Sequence, residues 1–145
     1  MDRIIQEKIS ADHLLYVSLK YTKTCDVILN LITRWRSMIE IGMECILKQA
    51  KKKKMIPKIP SAPRGKLELL KKKFSKKPDI RDTLDLYEFF KRVENCQKLR
   101  ENEFRKNVNL KVLDRGGEVN IDLDKLKEYS KIVERFISYL KEFLS

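Results

Sequence analysis

Apolar residues recur along most of this chain with the period of a helix. Between residues 2 and 21, Ile5, Ile9, Leu15 and Leu19 fall near one helical stripe, and Leu14, Tyr16, Val17 and Tyr21 widen it toward a second face. Residues 24–50 carry the cleanest pattern: Ile28, Leu31, Ile32, Trp35, Met38, Ile39, Gly42, Met43 and Ile46 follow i, i+3, i+4, i+7 spacing. Thr22 or Thr24 is available as the N-cap of that helix. A glycine inside a helix costs about 1 kcal/mol relative to alanine. Gly42, on the apolar face, therefore predicts another helix passing close by.

Pro57, Pro60 and Pro63 end the pattern, since proline lacks the N–H a helix interior needs. Residues 51–63 read as an extended connector, with Met55, Ile56 and Ile59 able to pack down on the bundle. A short helix is predicted over 65–74, with Leu67, Leu70 and Phe74 on one face. Asp79 then offers an N-cap for a helix over 80–105, where Leu86, Phe90, Val93 and Cys96 or Gln97 share a face. The second half of that span, ENCQKLRENEFRKN, is polar. From VNLKVLDRGGEVNID onward the period drops to two: Val108, Leu110 and Val112 alternate with Asn109 and Lys111, and Val119 and Ile121 with Glu118 and Asn120. Alternation on both sides of a Gly-Gly pair predicts a β-hairpin. Asp122 or Asp124 caps a last helix striped by Leu126, Tyr129, Ile132, Val133, Phe136, Ile137, Leu140 and Leu144. The elements predict an all-α fold: one domain over 1–145, a bundle of four to five helices with a small hairpin before the C-terminal helix.

Charge changes the picture. The net charge is +12. Residues 48–77 hold thirteen basic residues and one acid, Glu68, so this segment carries all of it. The remainder balances at twenty charges of each sign. The concentration reads as a polyanion grip, because crowded like charges repel one another and a polyanion relieves that by counterion release; the acceptor is RNA, DNA, an anionic membrane surface or an acidic protein. The candidate contacts are Lys51, Lys52, Lys53, Lys54, Lys58, Arg64, Lys66, Lys71, Lys72, Lys73, Lys76 and Lys77, joined by a second cluster at Arg105 and Lys106. Twelve of the thirteen cations in the segment are lysines, which meet phosphate as point charges, and Phe74 is its one aromatic. Binding there is expected to be phosphate-driven and blind to base sequence. The competing account of the same residues is a solvated lysine-rich loop.

Catalytic signals are sparse. His13, the one histidine, follows Asp12 and is a candidate base without an identifiable nucleophile. Arg34 and Arg36 flank Trp35, whose spacing puts it in the core or a dimer interface. Cys25, Cys45 and Cys96 form no CxxC; the first two share a helix about 30 Å apart, beyond disulfide reach. They read as three buried thiols. No phosphate-loop or dinucleotide motif occurs. We expect no metal and no cofactor. No apolar run reaches the roughly 18 residues of a membrane span, and the charged N-terminus lacks a signal-peptide core. A cytoplasmic protein is expected. The lysine- and glutamate-rich, glutamine-poor composition leans toward a thermophile.

ADHLLYVSLKYTKT, a long second helix, a variable connector, two later helices and a polar REN–FRKN junction together resemble the HEPN-like helical proteins of archaea and bacteria. The resemblance implies a compact bundle, a homodimer, and either ribonuclease activity or a nucleotide- or protein-binding role. Arg100 and Arg105 stand near the position of the family's catalytic arginine, but no histidine follows either. The expectation is a non-catalytic binding or scaffold protein. The alternatives are a ribonuclease with an atypical site around His13 and Arg105, or a structural subunit completed by a protein partner.

Overall fold

The N-terminal stripe forms α1, which begins as an α-helix over Asp2–His13, loosens into a π-helical stretch over Leu14–Ser18 and closes with a turn over Leu19–Tyr21. The computed structural model describes all 145 residues. The core line of α1 is Ile4, Ala11, Leu15 and Leu19, whereas Ile9, placed on the stripe by its spacing, is 61% exposed. The wider π turn, with more than the usual 3.6 residues, keeps Leu19 in phase with Leu15.

Thr24, of the two threonines available, starts α2 (Cys25–Lys52): its Oγ1 accepts from the Val27 N–H at 3.4 Å. Asp122 does the same for α5 (Leu123–Leu144), accepting from the Lys125 N–H at 2.8 Å. Between them lie α3 (Pro63–Lys73) and α4 (Pro78–Val93). Both open on a proline at the first position, where the missing N–H costs nothing. Asp79 therefore lies inside the first turn of α4 and is not its N-cap, which is Lys77.

α2 and α5 run side by side in the same direction. Trp35 meets the edge of Tyr129 (6.4 Å between ring centres), Gly42 faces Phe136 and Leu140, and Gln49 donates to the Phe143 carbonyl. A Cβ on Gly42 would come within 2.6 Å of the Phe136 ring, which explains the glycine. α4 runs antiparallel to both, placing Phe90 against Trp35 and Tyr129. Ile56 is buried, so the connector does pack on the bundle.

The expected all-α fold is wrong. The chain is helix-dominated but mixed, with a three-stranded antiparallel sheet of order β1-β2-β3: Gln97–Glu101, Asn109–Asp114 and Gly117–Ile121. The expected hairpin is β2–β3, with Val112 opposite Val119 and Leu110 opposite Ile121. β1 was unforeseen. It pairs with β2 from Gln97↔Leu113 to Glu101↔Asn109, so the helix expected to reach residue 105 stops at Val93. Lys98 Nζ donates to the carbonyls of Val93, Glu94 and Cys96, satisfying acceptors the helix end leaves free. The sheet lies at the end of the bundle where α2 begins: Cys25 Sγ donates to the Asn109 carbonyl at 3.4 Å, and Arg92 reaches Asp114. No helix is long and apolar enough to cross a membrane.

Candidate polyanion-binding surface

α3 is short, but its direction decides where the lysines go. Lys66 pairs with Glu44 in the middle of α2. At the other end of α3, Phe74 packs edge-on against Phe143 and Tyr139 of α5, with ring centres 5.7 and 6.4 Å away. The proline-rich connector thus carries the chain back along α2, and α3 runs forward again beside it. As a result α2, α3 and α5 all finish at one end of the molecule. Lys53 lies 4.7 Å from the Phe143 ring centre and donates to its carbonyl at 3.3 Å. The two lysine runs, separated in sequence by a connector and a helix, therefore lie on either side of one aromatic cluster.

The thirteen cations of 48–77 divide by partner. Arg64 pairs with Glu68, Lys66 with Glu44, and Lys71 with Glu88 and Asp85. The other ten (Lys48, Lys51, Lys52, Lys53, Lys54, Lys58, Lys72, Lys73, Lys76 and Lys77) are exposed and form no ion pair. A helix C-terminus attracts cations for about 0.3–1 kcal/mol each, and only within its last turn. Lys51 and Lys52 in α2 and Lys71 to Lys73 in α3 occupy such last turns. That accounts for Lys51, Lys52, Lys72 and Lys73 of the ten and not for Lys48, Lys53, Lys54, Lys58, Lys76 or Lys77. Lys54 even occupies a position better suited to glycine. It has φ +62°, the Met55 N–H donates to the Ala50 carbonyl and the Lys54 N–H to that of Lys51. This is the bonding of a Schellman cap, whose left-handed residue is usually glycine.

Arg105 and Lys106 are not part of this end. They lie in the loop joining β1 to β2, beside the start of α2, because the Phe104 N–H donates to the Lys23 carbonyl at 2.6 Å. α2 alone spans about 42 Å at 1.5 Å per residue, so the two candidate clusters face opposite ends of the molecule.

The remaining candidates from the sequence, and one groove that Lys66 helps to line, give no catalytic centre. A polar groove of about 460 Å³ between α2, α3 and α4 is lined by Arg3, Arg36, Glu40, Glu44, Tyr87 and Lys91, among others. The Tyr87 hydroxyl donates to Glu40 at 2.9 Å, and burial followed by that bond pushes its pKa up to about 12. Such a phenol holds its proton near neutral pH and supplies no base. His13 is exposed, and Asp12 is held by Lys8 at 2.6 Å rather than orienting the imidazole. Trp35 is core, 2% exposed. Of the thiols only Cys25 is buried; Cys45 and Cys96 are half-buried, against the expectation of three buried ones, and all three are free. Burial pushes the Cys25 thiol above its usual range.

Sequence reasoning treated Tyr21 as structural and gave Phe104 no role. They are 78% and 74% exposed, the two most exposed large hydrophobic side chains of the chain. The sequence signal was their setting, with Lys20, Lys23, Arg105 and Lys106 next to them.

Compared with protein-family models, with curated proteins and with solved structures, the chain matches none.

Proposed function

We propose that this protein is a polyanion-binding module, with nucleic acid as the principal ligand, that grips phosphates through the lysine end of its bundle. One observation carries the reading: ten exposed lysines hold no carboxylate partner, and the two runs that contain most of them end α2 and α3 at the Phe74–Tyr139–Phe143 cluster, where Lys53 lies over the Phe143 ring. Helix-dipole stabilisation needs only some of them, and the rest add mutual repulsion that a polyanion would relieve. Phe74 is 4% exposed and Phe143 half-buried, so bases find little to stack on there. Contacts at this end are therefore to phosphate, and recognition is blind to base sequence. The resemblance to HEPN-like bundles belongs to the same proposal and rests on helix order. Arg100 lies in β1 and Arg105 in the following loop, neither with a histidine beside it, which favours a binding role over ribonuclease chemistry.

The test is a salt series of binding to labelled RNA and DNA. It compares wild type with a variant in which Lys51 to Lys54 and Lys71 to Lys73 are changed to Gln. A log–log slope of about −3 or steeper, implying roughly four or more phosphates, and its collapse in the variant are the expected result. Wild type that binds nothing near physiological salt would sink the reading.

A further inference from the structure

We infer that the surface around Phe104 and Tyr21, at the sheet end of the molecule, is a base-stacking site for single-stranded nucleic acid. The inference deepens the proposed function, on which it rests for the ligand class; the site itself stands on separate residues. Phe104 has φ +67°, a left-handed conformation that costs a residue with a Cβ roughly 1–2 kcal/mol. The loop around it enforces that conformation. The Phe104 N–H donates to the Lys23 carbonyl, Arg105 N–H to the Asn102 carbonyl at 3.2 Å, Val108 N–H to the Arg105 carbonyl at 3.0 Å, and Asn102 Nδ2 to the Asn107 carbonyl at 3.3 Å. At its base Arg100 joins Asp26 at 2.7 Å to Glu103 at 3.5 Å. The outcome is a rigid loop that presents a phenyl ring to water. A backbone outlier of this kind is a pointer to function when the surroundings over-determine it.

The Lys23 bond sets Phe104 beside the α1–α2 turn, two residues from Tyr21. Four cations are close in sequence to these rings, Lys20, Lys23, Arg105 and Lys106, and none has a carboxylate partner; Lys20 Nζ stands 5.8 Å from the Tyr21 ring centre, and Lys23 Nζ donates to the Lys20 carbonyl. Exposed flat rings among unpaired cations fit an anionic strand whose bases are free to stack. A duplex keeps its bases stacked on one another, and an acidic peptide uses the charges but not the rings. A preformed loop also lowers the ordering cost of binding.

The experiment measures fluorescence anisotropy of a labelled oligouridylate and of the same backbone lacking bases. Proteins are wild type, Phe104→Ala, Tyr21→Ala, Phe104→Gly and the lysine-run variant. Each ring removal is expected to weaken oligouridylate binding about tenfold or more and to leave the abasic strand unaffected. Phe104→Gly guards against a folding artefact, because it removes the ring while relieving the backbone. The lysine-run variant is expected to lose affinity for both strands and keep its preference for bases. Equal binding of the two strands by wild type, or unchanged affinity in both ring variants, overturns this site and leaves the lysine end standing. Ring dependence with no effect of the lysine changes retains this site and overturns the lysine grip. Failure of wild type to bind either strand overturns both, as does a wild-type dimer that the ring variants dissociate without any strand binding.

Discussion

At the sheet end, Arg92 holds Asp114 with two hydrogen bonds of 2.9 and 3.1 Å, Arg100 reaches Asp26, and Lys98 closes the end of α4. At the lysine end, ten lysines hold no carboxylate at all. The aromatic residues are arranged the other way round. Phe74, Tyr139 and Phe143 are wholly or partly buried under the lysines, whereas Tyr21 and Phe104 project from the sheet end into water. The contrast separates two uses of charge. Paired cations at the sheet end fix strands and helix ends in place. Unpaired ones make up most of the charge at the lysine end, and at the sheet end they are confined to Lys20, Lys23, Arg105 and Lys106 around the exposed rings.

The largest expected effect tests that division directly. Changing Lys51 to Lys54 and Lys71 to Lys73 to Gln should flatten the salt dependence of nucleic-acid binding by about 0.9 in log–log slope for each phosphate no longer engaged. Stability, read by chemical denaturation, should fall by no more than about 3 kcal/mol, because the last-turn lysines contribute about 0.3–1 kcal/mol each and Lys71 gives up Glu88, while relief of mutual repulsion offsets part of the loss. A large loss of stability would mean the lysines are structural. Next comes Gly42→Ala, midway between the ends. Its methyl meets the fully buried Phe136 ring and Leu140, so unfolding free energy should fall by about 1–3 kcal/mol, while the folded protein's affinity for either ligand surface stays unchanged. Lys54→Gly is a smaller effect with a useful sign. It places glycine at the left-handed cap and should raise stability by about 0.5–1 kcal/mol, yet slightly weaken polyanion binding. Gains in both would argue against a binding role for that lysine.

The smallest effect is on the acid limb. Hydrogen bonds from Arg92, with its positive charge, hold the Asp114 carboxyl below its usual range. The folded protein therefore takes up this proton at lower pH than the unfolded chain does. The stabilisation is complete above about pH 4 and is lost as pH falls through the folded value. Melting curves of wild type and Arg92→Gln should differ most near neutrality and converge below about pH 4. A parallel pair, Lys72→Gln against wild type, should show no such convergence.

Much of the helical frame was legible in the sequence because α2, α4 and α5 carry strong apolar periodicity and α2 and α5 open on side-chain caps. β1 was not. Its one apolar residue, Leu99, faces solvent, and the positions that share a face with buried Val112 and Leu110 are Lys98 and Arg100, the latter still exposed. Lys98 serves the end of α4 and Arg100 serves Asp26, so a strand is held by long polar side chains where the usual signal is an alternating apolar face. The tail of α4 and this strand together read as one polar helix. The candidate site was legible as composition but not as geometry. That both lysine runs reach one end depends on α3 running parallel to α2, a fact set by Lys66–Glu44 and Phe74–Phe143, pairs distant in sequence. Phe104 was invisible because nothing in FRKN announces a left-handed phenylalanine.

The π-helical stretch at Leu14–Ser18 bears on which insertions and deletions the chain can survive. An α-helix is a reading frame of about 100° per residue, and losing one residue between Ile4 and Ala11 would rotate the core positions on one side of the gap away from the core. Losing one within Leu14–Ser18 removes the surplus residue and leaves an ordinary helix with Leu15 and the former Leu19 still on the same side. Along α1, that single turn is a frameshift buffer: the place where length can change by one without rewriting what lies beneath it.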